Sequence, residues 1–344
     1  MSFLQLLWYA VIGLLFIIFL VLDGADFGVG MATRFLASNY TERKLLLRTI
    51  GPHWDGNEVF LVTAGGAMFA SLPGWYASLF SGFYLLLFFV LIALIFRGVS
   101  FEFSDAALTE KGKRGWLWVN FISCLFIPFL LGMLFTDMIQ PLPIDAGGNI
   151  FVSFYNVVNP LSILGGLCIT AVSLYQGLNY IALRTEGLIR YHASRLADNL
   201  YWIAYPVEVL IVIALYFQTN FYERHLVATL VFLVLIVAVT VWGQIAAATD
   251  KEIQAIIASS SLFALIVMLI FTGLFPYVLI ANNPAHSLLI KEVSSSPYTL
   301  VIMTIVLVIL LPIMLAYFIW SYVSQWHRIS LEEFKKDLDN GETY

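Results

Sequence analysis

Long apolar runs alternate with short polar segments along almost the whole chain. Runs of about 20 apolar residues are long enough for helices that cross the hydrocarbon core of a membrane. Nine such runs predict nine membrane-spanning helices, at 2–33, 52–72, 75–97, 116–139, 154–182, 199–217, 226–247, 256–280 and 298–326. The first run has no basic start and no small-residue cleavage site, so we expect a retained span and not a signal peptide.

The composition supports this pattern. Of the 344 residues, 61% are hydrophobic and 11% are charged, whereas about 25% of a soluble domain is charged. We therefore predict an all-α integral membrane protein with one polytopic domain, residues 1–326. Residues 327–344 should form a charged, frayed cytoplasmic tail. The net charge of -5 comes with no basic patch, which argues against a nucleic-acid partner.

Lysines and arginines give the orientation, because cytoplasmic loops are enriched in them. With the N-terminus outside and the C-terminus in the cytoplasm, the outer segments hold only Arg224 and Lys291. The other fifteen of the 17 basic residues fall on the inner side: Arg34, Arg43, Lys44, Arg48, Arg97, Lys111, Lys113, Arg114, Arg184, Arg190, Arg195, Lys251, Arg328, Lys335 and Lys336.

Three polar clusters interrupt the apolar pattern, all toward the inner side. In the first, Asp23 and Asp26 share a face late in span 1, and Gly24 and Gly28 offer a surface for close helix packing. One interpretation is packing with a solvated acid at the helix end. Ionisable residues at membrane depth are also candidates for a functional site.

The second cluster opens span 2 with Gly-Pro-His-Trp-Asp-Gly-Asn-Glu at 51–58. The helix macrodipole alone would favour Asp55 in a first turn. It does not account for His53, Asn57 and Glu58 within the same two turns. After them, the small residues at 64–67 predict a second helix-packing surface.

The third cluster is Arg97 with Glu102, at the predicted inner end of span 3. Arg97 could extend to the lipid headgroups. Alternatively it could be a permanent cation that pairs with the buried acids.

Other chemistry has little support in the sequence. Cys124 and Cys168 lie inside apolar runs, which predicts packing thiols and neither a disulfide nor a metal site. No two histidines are placed to face each other across spans, so a bis-histidine haem is not expected in this chain. His53 alone remains a candidate axial ligand, although a weak one.

Acids, a histidine, an amide and an arginine at the inner ends of the first three spans suggest the mouth of a proton pathway. Such a pathway needs exchangeable groups within hydrogen-bond reach and screened from lipid. No redox centre is evident in the chain, so the reaction that uses the protons would take place in a partner.

The polar clusters also carry a family resemblance. Three segments carry it: Leu-Asp-Gly-Ala-Asp-Phe-Gly-Val-Gly-Met at 22–31, Gly-Pro-His-Trp-Asp-Gly-Asn-Glu-Val at 51–59 and Phe-Arg-Gly-Val-Ser-Phe-Glu at 96–102. They resemble subunit II of cytochrome bd-type quinol oxidase. These motifs fall within residues 2–103, the first three predicted spans. The rest of the chain agrees in length, span count and orientation.

The resemblance implies a partner, subunit I, that holds haem b and haem d in the bacterial cytoplasmic membrane. The complex would oxidise quinol and reduce oxygen to water, building proton-motive force without pumping. Small single-span subunits and a bound quinone are further possibilities. By the resemblance, Asp23 and Asp55 are the principal proton-relay acids, His53 and Asp26 their neighbours, and Glu58 and Arg97 tune the entrance.

Two other functions fit the sequence. A proton-coupled transporter would also have intramembrane acids, although its polar residues would be expected in both halves of the chain. A purely structural subunit that stabilises subunit I would carry the same acids in a structural role.

Overall fold

The computed structural model describes residues 1–340, and the last four residues of the predicted tail lie outside this range. The helices are α1 (Phe3–Leu36), α2 (Tyr40–Arg48), α3 (Trp54–Ser71), α4 (Pro73–Gly82), α5 (Tyr84–Ala106), α6 (Glu110–Met138), α7 (Phe154–Val157), α8 (Pro160–Arg184), α9 (Gly187–Gln218), α10 (Phe221–Arg224), α11 (Leu226–Ala248), α12 (Glu252–Leu274), α13 (Ile290–Val293), α14 (Pro297–Ser324) and α15 (Leu331–Asp339). The strands are β1 (Tyr277–Leu279) and β2 (Leu288–Leu289), and Pro284–His286 forms a 3₁₀ turn.

Eight helices within residues 1–340 are long and apolar enough to cross a membrane: α1, α5, α6, α8, α9, α11, α12 and α14. They confirm the prediction of an all-α membrane protein. The remaining predicted span, 52–72, corresponds to the 18-residue helix α3, whose first turns carry the polar motif. The count of nine spans therefore stays a prediction.

Several predicted boundaries were wrong, the third span most of all. The window 75–97 covers two helices, because the chain leaves helical geometry at Phe83, between α4 and α5. The helix of spanning length begins at Tyr84 and runs to Ala106. Arg97 consequently lies within this helix and not at its end. Hydropathy misses the break because the residue at the break, Phe83, is itself apolar.

Other boundaries moved for similar reasons. The helix predicted at 199–217 begins at Gly187, since a polar but helical segment precedes the apolar run. The helix predicted at 256–280 ends at Leu274, and the apolar residues after it form β1. The start of the window 154–182 is the separate short helix α7.

Helix α1 lies at the centre of the fold and packs against α3, α6, α8 and α12. Gly28 allows the closest approach, because a Cβ there would overlap the backbone of Ser173 and lie 2.7 Å from the Cα of Gly177 in α8. A Cβ at Gly24 would lie 2.8 Å from the ring of Phe263 in α12. The predicted packing role of Gly24 and Gly28 is confirmed.

The surface predicted at 64–67 does not act as a helix-packing surface within this chain, contrary to the prediction. Ala64 is fully buried, but Gly66 is exposed and a Cβ there would meet nothing within 4 Å. A Cβ at Gly65 would make only an ordinary contact with Phe80. Neither glycine therefore allows a close backbone approach by another helix of this chain.

The C-terminal segment is more ordered than predicted. After α14 the chain pairs with the end of α8, where the Ile329 N–H donates to the Arg184 carbonyl at 2.8 Å. Helix α15 then buries Phe334, and Asp337 forms a salt bridge of 2.9 Å with Arg48 in α2. The described residues after Ser324 therefore include a helix that packs against α2. Charge alone had predicted a frayed tail.

Candidate functional site

A buried arginine is the centre of the polar site. Arg97 lies in α5 with no exposed surface, facing α1 and α3. Its guanidinium Cζ lies 4.6 Å from the centroid of the Phe27 ring, which helps to hold the planar group in place. Extension to the lipid headgroups, the alternative interpretation, is excluded by this position.

Three carboxylates converge on this guanidinium. Nη1 lies 2.7 Å from Asp23 Oδ1 and 2.9 Å from Glu58 Oε1, and Nη2 lies 3.7 Å from Asp26 Oδ2. Two of the acids come from α1 and the third from α3. We call Arg97 and these three residues the arginine–acid cluster.

The charge of this cluster is unbalanced. Arg97 contributes one positive charge, and the three carboxyl groups contribute three negative charges if all are ionised. Buried charges are costly unless they are paired. The Asp23 and Asp26 side chains are fully or almost fully buried, whereas the Glu58 side chain is 23% exposed. The cluster is therefore closed to the surface around Asp23 and Asp26 and reaches the surface through Glu58.

An amide extends the cluster toward the C-terminal span. Asn57 Nδ2 donates to Asp26 Oδ2 at 2.7 Å, and the Tyr322 hydroxyl donates to Asn57 Oδ1 at 3.0 Å. The ring of His53 stacks on that of Tyr322 with centroids 4.0 Å apart, and Ser321 Oγ lies 3.3 Å from His53 Nδ1. This polar branch joins α1, α3 and α14.

A second polar branch leads from Arg97 to α6. The Ser100 hydroxyl donates to the Arg97 carbonyl at 2.6 Å. Asn120 Nδ2 donates to Ser100 Oγ at 2.9 Å. All three residues are buried.

The structure separates the six predicted site residues into groups. Asp23, Asp26, Glu58 and Arg97 meet directly. His53 is buried and joins through Tyr322. Asp55 is exposed and accepts a hydrogen bond from the Gly56 N–H at 2.7 Å, so it lies outside the arginine–acid cluster.

Sequence reasoning also misplaced some residues. Glu102, grouped with Arg97 above, is exposed and makes no contact with the cluster. Tyr322, Ser100 and Asn120 were not predicted to belong to the site. Their only sequence signal was a polar atom inside a long apolar run, a feature shared with many packing residues.

The chain offers few other chemical groups at this depth. Both cysteines are unpaired. Within residues 1–340, no three His, Cys, Asp or Glu side chains are grouped so that they could hold a metal ion. The arrangement brings three carboxyl groups, which can bind protons, to one buried cation.

Fold and site together define a class: a polytopic helical membrane protein with a buried arginine–acid cluster between α1, α3 and α5. The chain belongs to the cytochrome bd terminal oxidase subunit II family, whose sequence model matches residues 4–325. The resemblance noted from the motifs is thereby confirmed.

Two relatives match nearly end to end. Cytochrome bd ubiquinol oxidase subunit 2 of Bacillus subtilis (strain 168) is 39% identical over 334 residues, covering 97% of this chain and 99% of the relative. Cytochrome bd-I ubiquinol oxidase subunit 2 of Escherichia coli (strain K12) is 31% identical over 368 residues, covering 97% of each.

A solved structure shares the fold. A chain of the bd oxidase from Geobacillus thermodenitrificans superposes with a TM-score of 0.77 at 17% identity, covering 95% of this chain and 100% of that chain. At this identity the match supports the helical architecture alone.

Proposed function

We propose that this chain is subunit II of a bd-type terminal oxidase and supplies part of a proton path from the cytoplasm. The complex would couple quinol oxidation to the reduction of oxygen to water and build proton-motive force without pumping. Family membership and the names of the two relatives support the oxidase assignment. The arginine–acid cluster carries the proposal of a proton path.

The proposed path begins at the exposed Asp55, one helical turn before Glu58 on α3. Glu58 bridges the surface and the cluster because its side chain is partly exposed while it contacts Arg97. Asp23 and Asp26 accept the proton in the interior. Asn57 holds Asp26 by a hydrogen bond, and His53 supports this contact through Tyr322, which donates to Asn57. Arg97 is a fixed cation that compensates one carboxylate, so the other carboxyl groups can exchange protons.

The rest of the assembly follows from the family assignment. We place the chain in the bacterial cytoplasmic membrane with nine spans, the N-terminus outside and the C-terminus in the cytoplasm. Subunit I would hold haem b and haem d and consume the protons, and this chain would ligate neither haem. Small single-span subunits and a bound quinone could complete the complex.

The proton path is tested by removing one carboxylate at a time. We expect Asp23→Asn and Glu58→Gln to lower quinol-dependent oxygen consumption about tenfold or more, because proton-transfer groups typically contribute at least that much. Asp55→Asn should give a smaller loss of rate, because Asp55 is exposed and water can transfer the proton there in its place. Glu102→Gln is the matched control, an exposed acid outside the cluster, and should leave the rate unchanged.

Each variant is purified as the complex, and the rate is divided by the haem content from the reduced-minus-oxidised spectrum. Normal rates per haem in Asp23→Asn and Glu58→Gln would reject the proton path. Loss of haem together with rate would instead support a purely structural role. A preparation without haem or a second large subunit, but with proton-coupled uptake in vesicles, would favour a transporter.

A further inference from the structure

Two of the sequence motifs lie against each other beside the arginine–acid cluster. Trp54, the first residue of α3, belongs to the motif at 51–59, and it contacts residues of the motif at 96–102. Its ring stacks on that of Phe101, with centroids 4.7 Å apart and planes inclined by 24°. The Cζ atom of Arg97 lies 5.8 Å from the centroid of the same Trp54 ring. The proton path proposed above uses only polar side chains and gives Trp54 and Phe101 no role.

A glycine makes room for the indole ring. A Cβ at Gly98 would lie 3.3 Å from Trp54 Cη2 and 3.4 Å from Trp54 Cζ3. Phe101 follows Arg97 by four positions and Gly98 by three, so these three residues form one patch on the surface of α5. The ring of Trp54 therefore lies in a slot formed by Arg97, Gly98 and Phe101, which we call the tryptophan slot.

The aromatic rings restrain the orientation of the guanidinium. A guanidinium donates hydrogen bonds in its own plane and stacks on aromatic rings. Arg97 has one such ring from α1, Phe27, and one from α3, Trp54. Its Nη1 atom at the same time contacts Asp23 at 2.7 Å and Glu58 at 2.9 Å. Rotation of the group would therefore separate the buried acid from the partly exposed one.

We propose that Trp54 is a positioning residue for proton transfer between Glu58 and Asp23. By restraining the guanidinium of Arg97, its ring keeps the two carboxyl groups on one nitrogen atom. Trp54 and Glu58 lie four residues apart and share a face of α3, whereas Asp55, next to Trp54, is exposed. The indole itself neither gains nor loses a proton. This role rests on the proposed proton path and adds to it a cation–π contact.

Trp54→Leu and Trp54→Phe test this role, because leucine keeps only an apolar side chain whereas phenylalanine also keeps an aromatic face. Each variant is purified as the complex, and quinol-dependent oxygen consumption is divided by the haem content. We expect Trp54→Leu to lower the maximal rate about fivefold, as for the loss of one cation–π contact, with the KM for quinol unchanged. Trp54→Phe should keep most of the rate. Trp116→Leu is the matched control, since Trp116 stacks on Phe103 with centroids 5.1 Å apart and belongs to neither the cluster nor the slot.

The ratio of the rates in ordinary water and in heavy water gives a second readout. It should rise in Trp54→Leu, because proton transfer would then limit turnover, whereas a packing defect that slows electron transfer would leave it unchanged. Gly98→Val, which pushes the ring out of the slot, should reproduce both changes, and it decides the question if Trp54→Leu does not assemble. Gly115→Val is its control, because a Cβ there meets nothing within 4 Å.

A normal rate per haem in Trp54→Leu would overturn the proposal, and so would equal losses in the leucine and phenylalanine variants. An unchanged isotope ratio would also overturn it, because the contact would then be structural only. If Asp23→Asn and Glu58→Gln are slow while Trp54→Leu is normal, this inference fails and the proton path stands. Normal rates in those two acid variants reject the path, and a slow Trp54→Leu would then be a packing defect.

Discussion

Arg97 shows how one side chain can organise a membrane site. A single guanidinium contacts three acids that lie as much as 74 residues away along the chain, a separation given by positions 23 and 97. Removing one partner of a buried ion pair leaves uncompensated charge, which costs far more than the pair itself contributes. The packing of α1, α3 and α5 against one another therefore depends on this residue.

We expect Arg97→Leu to destabilise the chain by about 3–5 kcal/mol, the usual cost of breaking a buried ion pair. Thermal unfolding of the purified complex, followed by light scattering or tryptophan fluorescence, measures the change. Arg114→Leu is the matched control, because Arg114 is exposed on α6 and has no ion pair among the described residues. Equal melting temperatures for the two variants would contradict a structural role for Arg97.

At the scale of elements, close helix contact and helix breaks decide where the acids lie. Gly28 and Gly177 let α1 and α8 pack with their backbones in contact, which fixes the rotation of α1 and with it the direction of Asp23 and Asp26. The break at Phe83 moves α5 so that Arg97 comes level with these acids. Neither feature follows from hydropathy alone.

Gly177→Val should disrupt this crossing, because a Cβ at Gly177 would overlap the backbone of Gly28 and Val29. Overpacking commonly lowers the free energy of unfolding by about 1–3 kcal/mol. Because the added side chain would overlap backbone atoms, we expect a loss at or above that range. Yield of the assembled complex and its melting temperature report the effect.

Gly66→Val serves as the comparison, since a Cβ there meets no other atom of this chain within 4 Å. If Gly177→Val were as stable as the unmodified protein, α1 and α8 would be able to move apart without loss of stability. A loss in Gly66→Val would instead point to a partner packed on that side of α3.

At the scale of the whole molecule, the segment after the last span folds back onto earlier helices. The segment after α14 contacts the end of α8 and then α2, so it ties the first and last spans together. Most of its stability should come from the burial of Phe334, since salt bridges open to solvent contribute only about 0–1 kcal/mol, and the side chains of Arg48 and Asp337 are 26% and 24% exposed. The same segment places Trp326 against Arg184.

Phe334→Ala is expected to release α15, because truncating a buried phenylalanine costs about 3–5 kcal/mol. Limited trypsin digestion of the complex should then cut rapidly after Lys335 or Lys336, which is detected by mass spectrometry of the intact chain. Glu332→Ala, an exposed change in the same helix, should leave the cleavage rate as in the unmodified chain. Equal rates for both variants would show that Phe334 does not anchor the tail.

The sequence by itself determined the membrane class, the regions of eight long helices and the motif residues, because apolar length and intramembrane charge are local properties. Four of the six predicted site residues meet directly in the structure. The sequence also indicated that Arg97 could pair with the buried acids. An arginine that extends to the lipid headgroups fitted the sequence equally well.

Only the tertiary structure decided which groups meet. Asp55 and Glu58 lie three residues apart in one motif, yet one is exposed and the other contacts Arg97. Tyr322 reaches Asn57 from 265 residues away. Such contacts depend on the rotation and crossing of packed helices, which close-packed side chains set collectively and which a one-dimensional pattern does not contain.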